Sequence, residues 1–204
     1  MATVISSEGN AELTSLPATF TTRAALNAGL HPRVLYRLRD EGEIVELSRG
    51  VFRRADAPAA TWPDLLAVQA RTPLAIACCL TAASVHGLTD DLPGKVQIAV
   101  PRGMRPPQIK YPPTQVLRFD APTFELGLTQ VEAAPGENVR VYDQARTVVD
   151  LFRLRHRFGE ATANGALRNH LRSRAADPAR LLDIADELGV FGPVRAATDV
   201  VLAG

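Results

Sequence analysis

The stretch Phe20-TTRAALNAGLHPRVLYRLRDEGEIVELSRGVFR-Arg54 decides the fold class of this 204-residue chain. Thr21 or Thr22 can cap a helix over Arg23–Ala28. Gly29 follows, where a helix end favours a left-handed residue. Pro32 suits the first turn of a second helix, which runs to about Glu41 and closes at Gly42. Two short extended runs come next, Ile44–Leu47 and Val51–Arg53, with Ser48-Arg49-Gly50 turning between them. Two helices on a tight turn, followed by a hairpin, form the pattern of a winged helix-turn-helix.

The spacing within the second helix sorts its faces. Leu35 and Leu38 stand three apart and are expected in the core, with Val34 partly covered. Arg33, Tyr36, Arg37 and Asp40 then face outward. Arg33 and Arg37 are one turn apart and can enter the same groove, and Arg can read guanine or hold phosphate. A Tyr36 hydroxyl can bond a phosphate. Arg49 lies at the tip of the hairpin, with Arg53 and Arg54 at its exit. Residues 20–54 hold seven arginines (23, 33, 37, 39, 49, 53 and 54) against four acids. The DNA-contacting set expected from this pattern is Arg23, Arg33, Tyr36, Arg37, Arg49, Arg53 and Arg54.

Working outward, residues 55–63 are dominated by Ala, Pro and Asp and read as a linker. The sequence thus divides into a winged domain over 1–54, a linker over 55–63 and a larger second domain over 64–204. Residues 1–10 look loosely ordered, and a short helix is expected over 11–16. In the second domain, Asp64–Arg71 reads as a helix, and Ala75–Cys79 as a buried strand or the lead into a helix ending at His86-Gly87. Lys95–Val100 alternates like a strand, and 101–113 is a Pro-rich loop. Gln115–Phe119 and Val139–Val141 read as further strands, with 121–134 mixed. Helices are expected over 144–156, 160–173, 178–188 and 193–202. The fold class is α+β: an N-terminal winged helix-turn-helix, then a mixed α/β domain ending in a helical segment.

Side chains of the second domain read first as scaffold. Asp143 is placed to cap the helix at 144, and Arg146 and Asp150 are four apart and can pair. His86 sits at a helix C-terminus, where it interacts well with the dipole. Residues 143–174 carry seven arginines against Asp143, Asp150 and Glu160. Of these, Arg153, Arg155, Arg157, Arg168 and Arg172 are expected to form a basic face for a protein partner or flanking DNA.

Composition bounds the remaining choices. The formal net charge is +1, so any nucleic-acid binding must come from local charge. Cys78 and Cys79 are adjacent in an apolar run and read as small buried residues, which fits a reducing compartment. No run approaches the roughly 20 apolar residues of a membrane helix, and Met1–Asn10 lacks signal-peptide features, so a cytoplasmic protein is expected. An enzyme of the metal-nuclease type would need an acid two residues before a lysine on a strand. Pro93 and Gln108 hold those places before Lys95 and Lys110. No cofactor, metal site or catalytic residue is expected.

The run from Phe20 to Arg53, with Ala-Gly-Leu, a Leu-x-x-Leu helix and Ser-Arg-Gly-Val-Phe, resembles the N-terminal domain of AbiEi-type antitoxins. Leu80-Thr81-Ala82-Ala83-Ser84-Val85-His86-Gly87-Leu88, Lys95–Pro101 and Asp143-Gln144-Ala145-Arg146-Thr147-Val148-Val149-Asp150-Leu151 are similar to segments of the same family. The resemblance covers most of the chain from about 20 to 190. It implies an antitoxin of an abortive-infection, type IV-like system that represses its own promoter. Its partners would be double-stranded promoter DNA, bound by a possible homodimer, and a nucleotidyltransferase-like toxin. A winged-helix regulator with an effector-binding or nuclease second domain is the alternative.

Overall fold

A computed structural model describes residues 12–174 and 176–203. The expectation for residues 1–10 lies outside them. The chain forms two compact units. The first is residues 1–73 with two later insertions, 109–112 and 132–139; the second is 74–108, 113–131 and 140–204.

In the first unit a helical turn at 12–15 precedes strand β1 (Thr19–Thr21). Helices α1 (Thr22–Asn27) and α2 (Pro32–Asp40) follow, then β2 (Ile44–Ser48), β3 (Val51–Arg54) and α3 (Pro63–Arg71). The Thr21 side chain accepts the Ala24 N–H and starts α1. Gly29 has φ +92, which frees the chain to turn into α2 with Pro32 in its first turn. The three strands order as β1-β3-β2, both pairings antiparallel. Strand β1 has no signal in the sequence reading, because Thr19-Phe20-Thr21 is too short to show a period. The core packs Leu13, Phe20, Ala25, Leu30, Leu35, Leu38, Ile44 and Phe52 together. Helix α3, which the sequence reading put with the second domain, lies within this unit.

The second unit is built on a five-stranded sheet ordered β6-β5-β4-β8-β7. Its strands are β4 (Ile76–Ala77), β5 (Val96–Pro101), β6 (Thr114–Phe119), β7 (Leu128–Ala134) and β8 (Glu137–Tyr142). Residues 132–139, the turn-side ends of β7 and β8, belong to the first unit. β5 runs antiparallel to β4 and parallel to β6, and β4 is parallel to β8. The alternation of Lys95–Val100 suggests an exposed polar side, yet Gln97 is buried. Its amide nitrogen donates to Gln115 Oε1 and its Oε1 accepts the Leu80 N–H, so burial costs it no hydrogen bond. Around the sheet stand helices α4 (Cys79–Val85), α5 (Gln144–Arg153), α6 (Arg155–Phe158), α7 (Glu160–Arg172), α8 (Pro178–Glu187) and α9 (Phe191–Ala203). The expected helix over 144–156 breaks at Leu154, and Gly159, at φ +95, redirects the chain into α7. Their apolar faces share one core, from Ile76 and Val148 to Leu181 and Val194. Among the described residues no helix is long and apolar enough to cross a membrane.

Candidate nucleic-acid interface

The geometry of α2 follows its residue spacing. Leu35 and Leu38 are buried, and Val34 is half-buried. Arg33 and Asp40 are exposed, Tyr36 is 48% exposed and Arg37 is half-buried. The His31 ring, exposed at the N-cap, accepts the Arg33 N–H on Nδ1 at 3.2 Å. Arg37 Nε lies 3.8 Å from Glu41, beyond hydrogen-bond range. Arg39 bonds Asp40 at 2.9 Å, pairs with Glu46 at 3.5 Å and stacks 5.0 Å over the Tyr36 ring. Hydrogen bonding to Asp40 leads the upward shift of its pKa. Arg39 is therefore spent within the unit, whereas Arg23 on α1 and Arg33 on α2 have no carboxylate partner among the described residues.

The wing is short. Ser48 pairs with Val51 across β2 and β3, and Val51 pairs with Thr21 in β1. Arg49 and Gly50 alone make the turn, with Gly50 at φ +74. Gly50 N–H donates to Glu46 Oε1, and Gly50 O accepts the Thr22 N–H at 2.9 Å. Arg71 Nη1, on α3, donates to Arg49 O at 3.3 Å and to Ser48 Oγ at 3.4 Å. Ser48 Oγ in turn donates to the Tyr111 carbonyl. The Arg49 side chain is exposed.

Two arginines expected at the wing exit point elsewhere. Arg53 is buried: its guanidinium pairs with Glu137 and donates to Thr19 Oγ1 and Pro58 O. Thr19 of the neighbouring β1 accepts from the guanidinium and Glu137 neutralises it, so its charge does not face solvent. Arg54 is half-buried and binds Asp56 at 3.0 Å.

The second unit holds a buried polar cluster. Asp143 caps α5 through the Arg146 N–H and receives Arg180 at 2.7 Å. Arg146 is fully buried; it bonds Asp150 at 3.0 Å, donates to Thr123 O and Leu126 O, and stacks 4.3 Å over Tyr142. Arg153 donates to the other Asp150 oxygen at 2.8 Å and lies 4.5 Å over Phe119. Burial raises the Asp150 pKa against the lowering effect of both guanidiniums. Burial also pushes the Tyr142 phenol up, and its hydroxyl donates to Phe124 O. His86 Nε2–H donates to Tyr142 O at 2.7 Å. Arg146 ties the 123–126 loop to α5, Tyr142 ties the same loop to β8, and His86 ties the end of α4 to β8, so each has the role of a strut.

The expected basic face divides accordingly. Arg153 is turned inward onto Asp150 and Phe119. Arg155 bonds Phe152 O and pairs with Glu160 at 3.3 Å. Arg157, Arg168 and Arg172 are exposed. Cys78 and Cys79 are buried and unbridged, and burial raises the Cys78 thiol. Among the described residues no group of His, Cys, Asp or Glu is placed to hold a metal ion.

Known proteins place these two parts in one family. Residues 15–55 match a family model described as a transcriptional regulator, AbiEi antitoxin. Residues 75–198 match one described as the AbiEi antitoxin C-terminal domain. A search of curated proteins finds no match. Among solved structures, the crystal structure of the RV2827C protein from Mycobacterium tuberculosis is similar. It is 16% identical, with a TM-score of 0.56 over 90% of this chain and 76% of that one, a likeness of fold. The C-terminal model alone spans more than half of the sequence, and with a regulator domain ahead of it the chain belongs to the AbiEi antitoxin family.

Proposed function

We propose that this antitoxin represses its own operon and neutralises a nucleotidyltransferase-like toxin encoded beside it, as in type IV-like systems. The winged helix would dock α2 in the major groove of promoter DNA, as a homodimer on paired half-sites. The observation that carries the reading is the outer face of α2, where Arg33, Tyr36 and Arg37 lie over a core-facing Leu35 and Leu38. Arg49 adds an exposed charge from the wing. The second unit would meet the toxin, with Arg157, Arg168 and Arg172 on its exposed surface.

The test separates the two activities by point substitution in the full chain. Arg33→Ala with Arg37→Ala should abolish binding to a duplex taken from upstream of the gene. Circular dichroism should stay that of the parent, and co-expression should still rescue growth from the toxin. Unchanged DNA affinity in an anisotropy titration sinks the recognition-helix assignment. Loss of rescue would show that the two activities are not separable by these residues.

A further inference from the structure

A two-residue turn level with the start of α1 gives this wing little reach of its own. Other segments of the same compact unit surround it. Ile109–Pro112, from the Pro-rich connection between β5 and β6, belongs to the first unit, and its Tyr111 carbonyl accepts from Ser48 Oγ. Arg71 at the C-terminal end of α3 bonds the carbonyl of Arg49 and the hydroxyl of Ser48. Three segments far apart in sequence therefore meet at one turn.

What they bring is of one chemical kind. Arg49, Arg71 and Lys110 are exposed cations, and Tyr111 is 61% exposed beside them. The nearest acid along the hairpin, Glu46, is engaged on both oxygens, by the Gly50 N–H at 3.1 Å and by Arg39 at 3.5 Å. Its charge is offset where it stands. The result is a positive patch with a phenol, a surface that suits the sugar-phosphate backbone of DNA. Lys110 is one of two lysines in the chain, and the ammonium binds phosphate as a point charge without demanding base geometry.

We propose that Arg71, Lys110 and Tyr111 extend the wing into a phosphate-binding shelf that holds the duplex flanking the base-reading site. The inference rests on the DNA-binding reading above. It concerns the backbone of the flank, so it adds affinity and salt dependence without sequence preference. The 109–112 segment supports the turn through the Tyr111 carbonyl. The Lys110 and Tyr111 side chains can be replaced without touching the Ser48 hydrogen bond.

The experiment uses the full chain and two labelled duplexes centred on the recognised sequence, two and four helical turns long, about 21 and 42 base pairs. Affinity is measured by anisotropy against salt concentration. On the longer duplex, Lys110→Ala with Arg71→Ala should lower the salt slope by roughly two units for each protomer bound, one for each lost phosphate contact. Lys110→Ala with Tyr111→Ala, which leaves Arg71 on the turn, should lower it by roughly one unit for each protomer bound. On the shorter duplex Lys110→Ala with Tyr111→Ala should match the parent; Arg71→Ala also removes the hydrogen bonds that hold the Arg49 turn, so the flanking assignment is read from the Lys110 and Tyr111 variant. Slopes unchanged on both duplexes overturn the shelf. Slopes that drop equally on both put these side chains over the recognition site and overturn the flanking assignment. The control is Arg33→Ala with Arg37→Ala: if that variant binds like the parent, the recognition-helix reading fails, independently of the shelf.

Discussion

At the scale of single residues, burial decides which charges are available. Arg53 and Arg54 are neighbours with the same side chain, yet the first is closed inside an ion pair and the second is half-buried against Asp56. Residue type in the sequence is the same for both, and the difference comes from Glu137, more than 80 positions away. Arg153 repeats the lesson, since an inward turn onto Asp150 and Phe119 withdraws it from the basic face. Near contacts were legible, because Asp143, Arg146 and Asp150 meet within a single helix. His170 supplies a prediction at this scale. It is buried on α7, its Nδ1–H donates to Gln144, and burial lowers its pKa below 6.5 despite Asp143 and Asp177 nearby. The fold therefore favours the neutral ring. A depressed pKa gives stability that is present above the unfolded value and is lost as pH falls below it. Thermal melts from pH 7 to about pH 5 should show the parent losing stability faster than His170→Asn, whose amide can still donate to Gln144. Parallel curves would remove His170 as the source.

At the scale of elements, turns carry the signals that periodicity lacks. Gly29 and Pro32 mark the tight turn between α1 and α2 in the sequence, and the structure puts both where that turn requires them. Gly127 is silent in the sequence. It sits at φ +74, and a Cβ there would lie 2.5 Å from Arg146 Cβ, a non-terminal atom that cannot swing away. A Cβ on Gly29 would meet the end of Glu12 at an ordinary 3.5 Å. The two glycines should therefore respond differently to alanine. Gly29→Ala should cost about 1–2 kcal/mol, from the left-handed backbone alone. Gly127→Ala should add the overpacking of α5 against its own loop, roughly a further 1–3 kcal/mol. Urea titrations followed by circular dichroism measure both, and equal losses would mean that the Arg146 contact relaxes freely. Strand β1, three residues long, was beyond reading because a period of two needs more positions to appear, whereas the apolar run Ala75–Cys79, read as a buried strand or the lead into a helix, holds both β4 and the start of α4.

At the scale of the whole molecule, the compact units do not follow the linear order of the chain. A composition shift at 55–63 suggests a boundary there, and a cut at 63/64 is the natural way to separate the two proposed activities. The first unit, however, also contains α3, 109–112 and 132–139. Within it Glu137 does two things: it pairs with Arg53, and its Oε1 accepts the Thr19 N–H of β1. A fragment of residues 1–63 would lack the carboxylate that neutralises Arg53 and holds the Thr19 N–H. Removing one partner of a buried pair costs about 3–5 kcal/mol, whereas replacing both with apolar side chains is often neutral. Glu137→Ala in the full chain should thus lower the stability of the first unit by about that amount, toward the lower end because Glu137 keeps 15% of its side chain exposed. Arg53→Met with Glu137→Leu should recover most of the loss. Fragment 1–63 should bind promoter DNA more weakly than the full chain even though it holds all of α2 and the wing. Chemical denaturation of the three full-length proteins and anisotropy of the fragment check this together. If Glu137→Ala unfolds like the parent, the Arg53 pair is incidental. If fragment 1–63 matches the full chain on DNA, the winged helix stands alone and the inserted segments are dispensable to it.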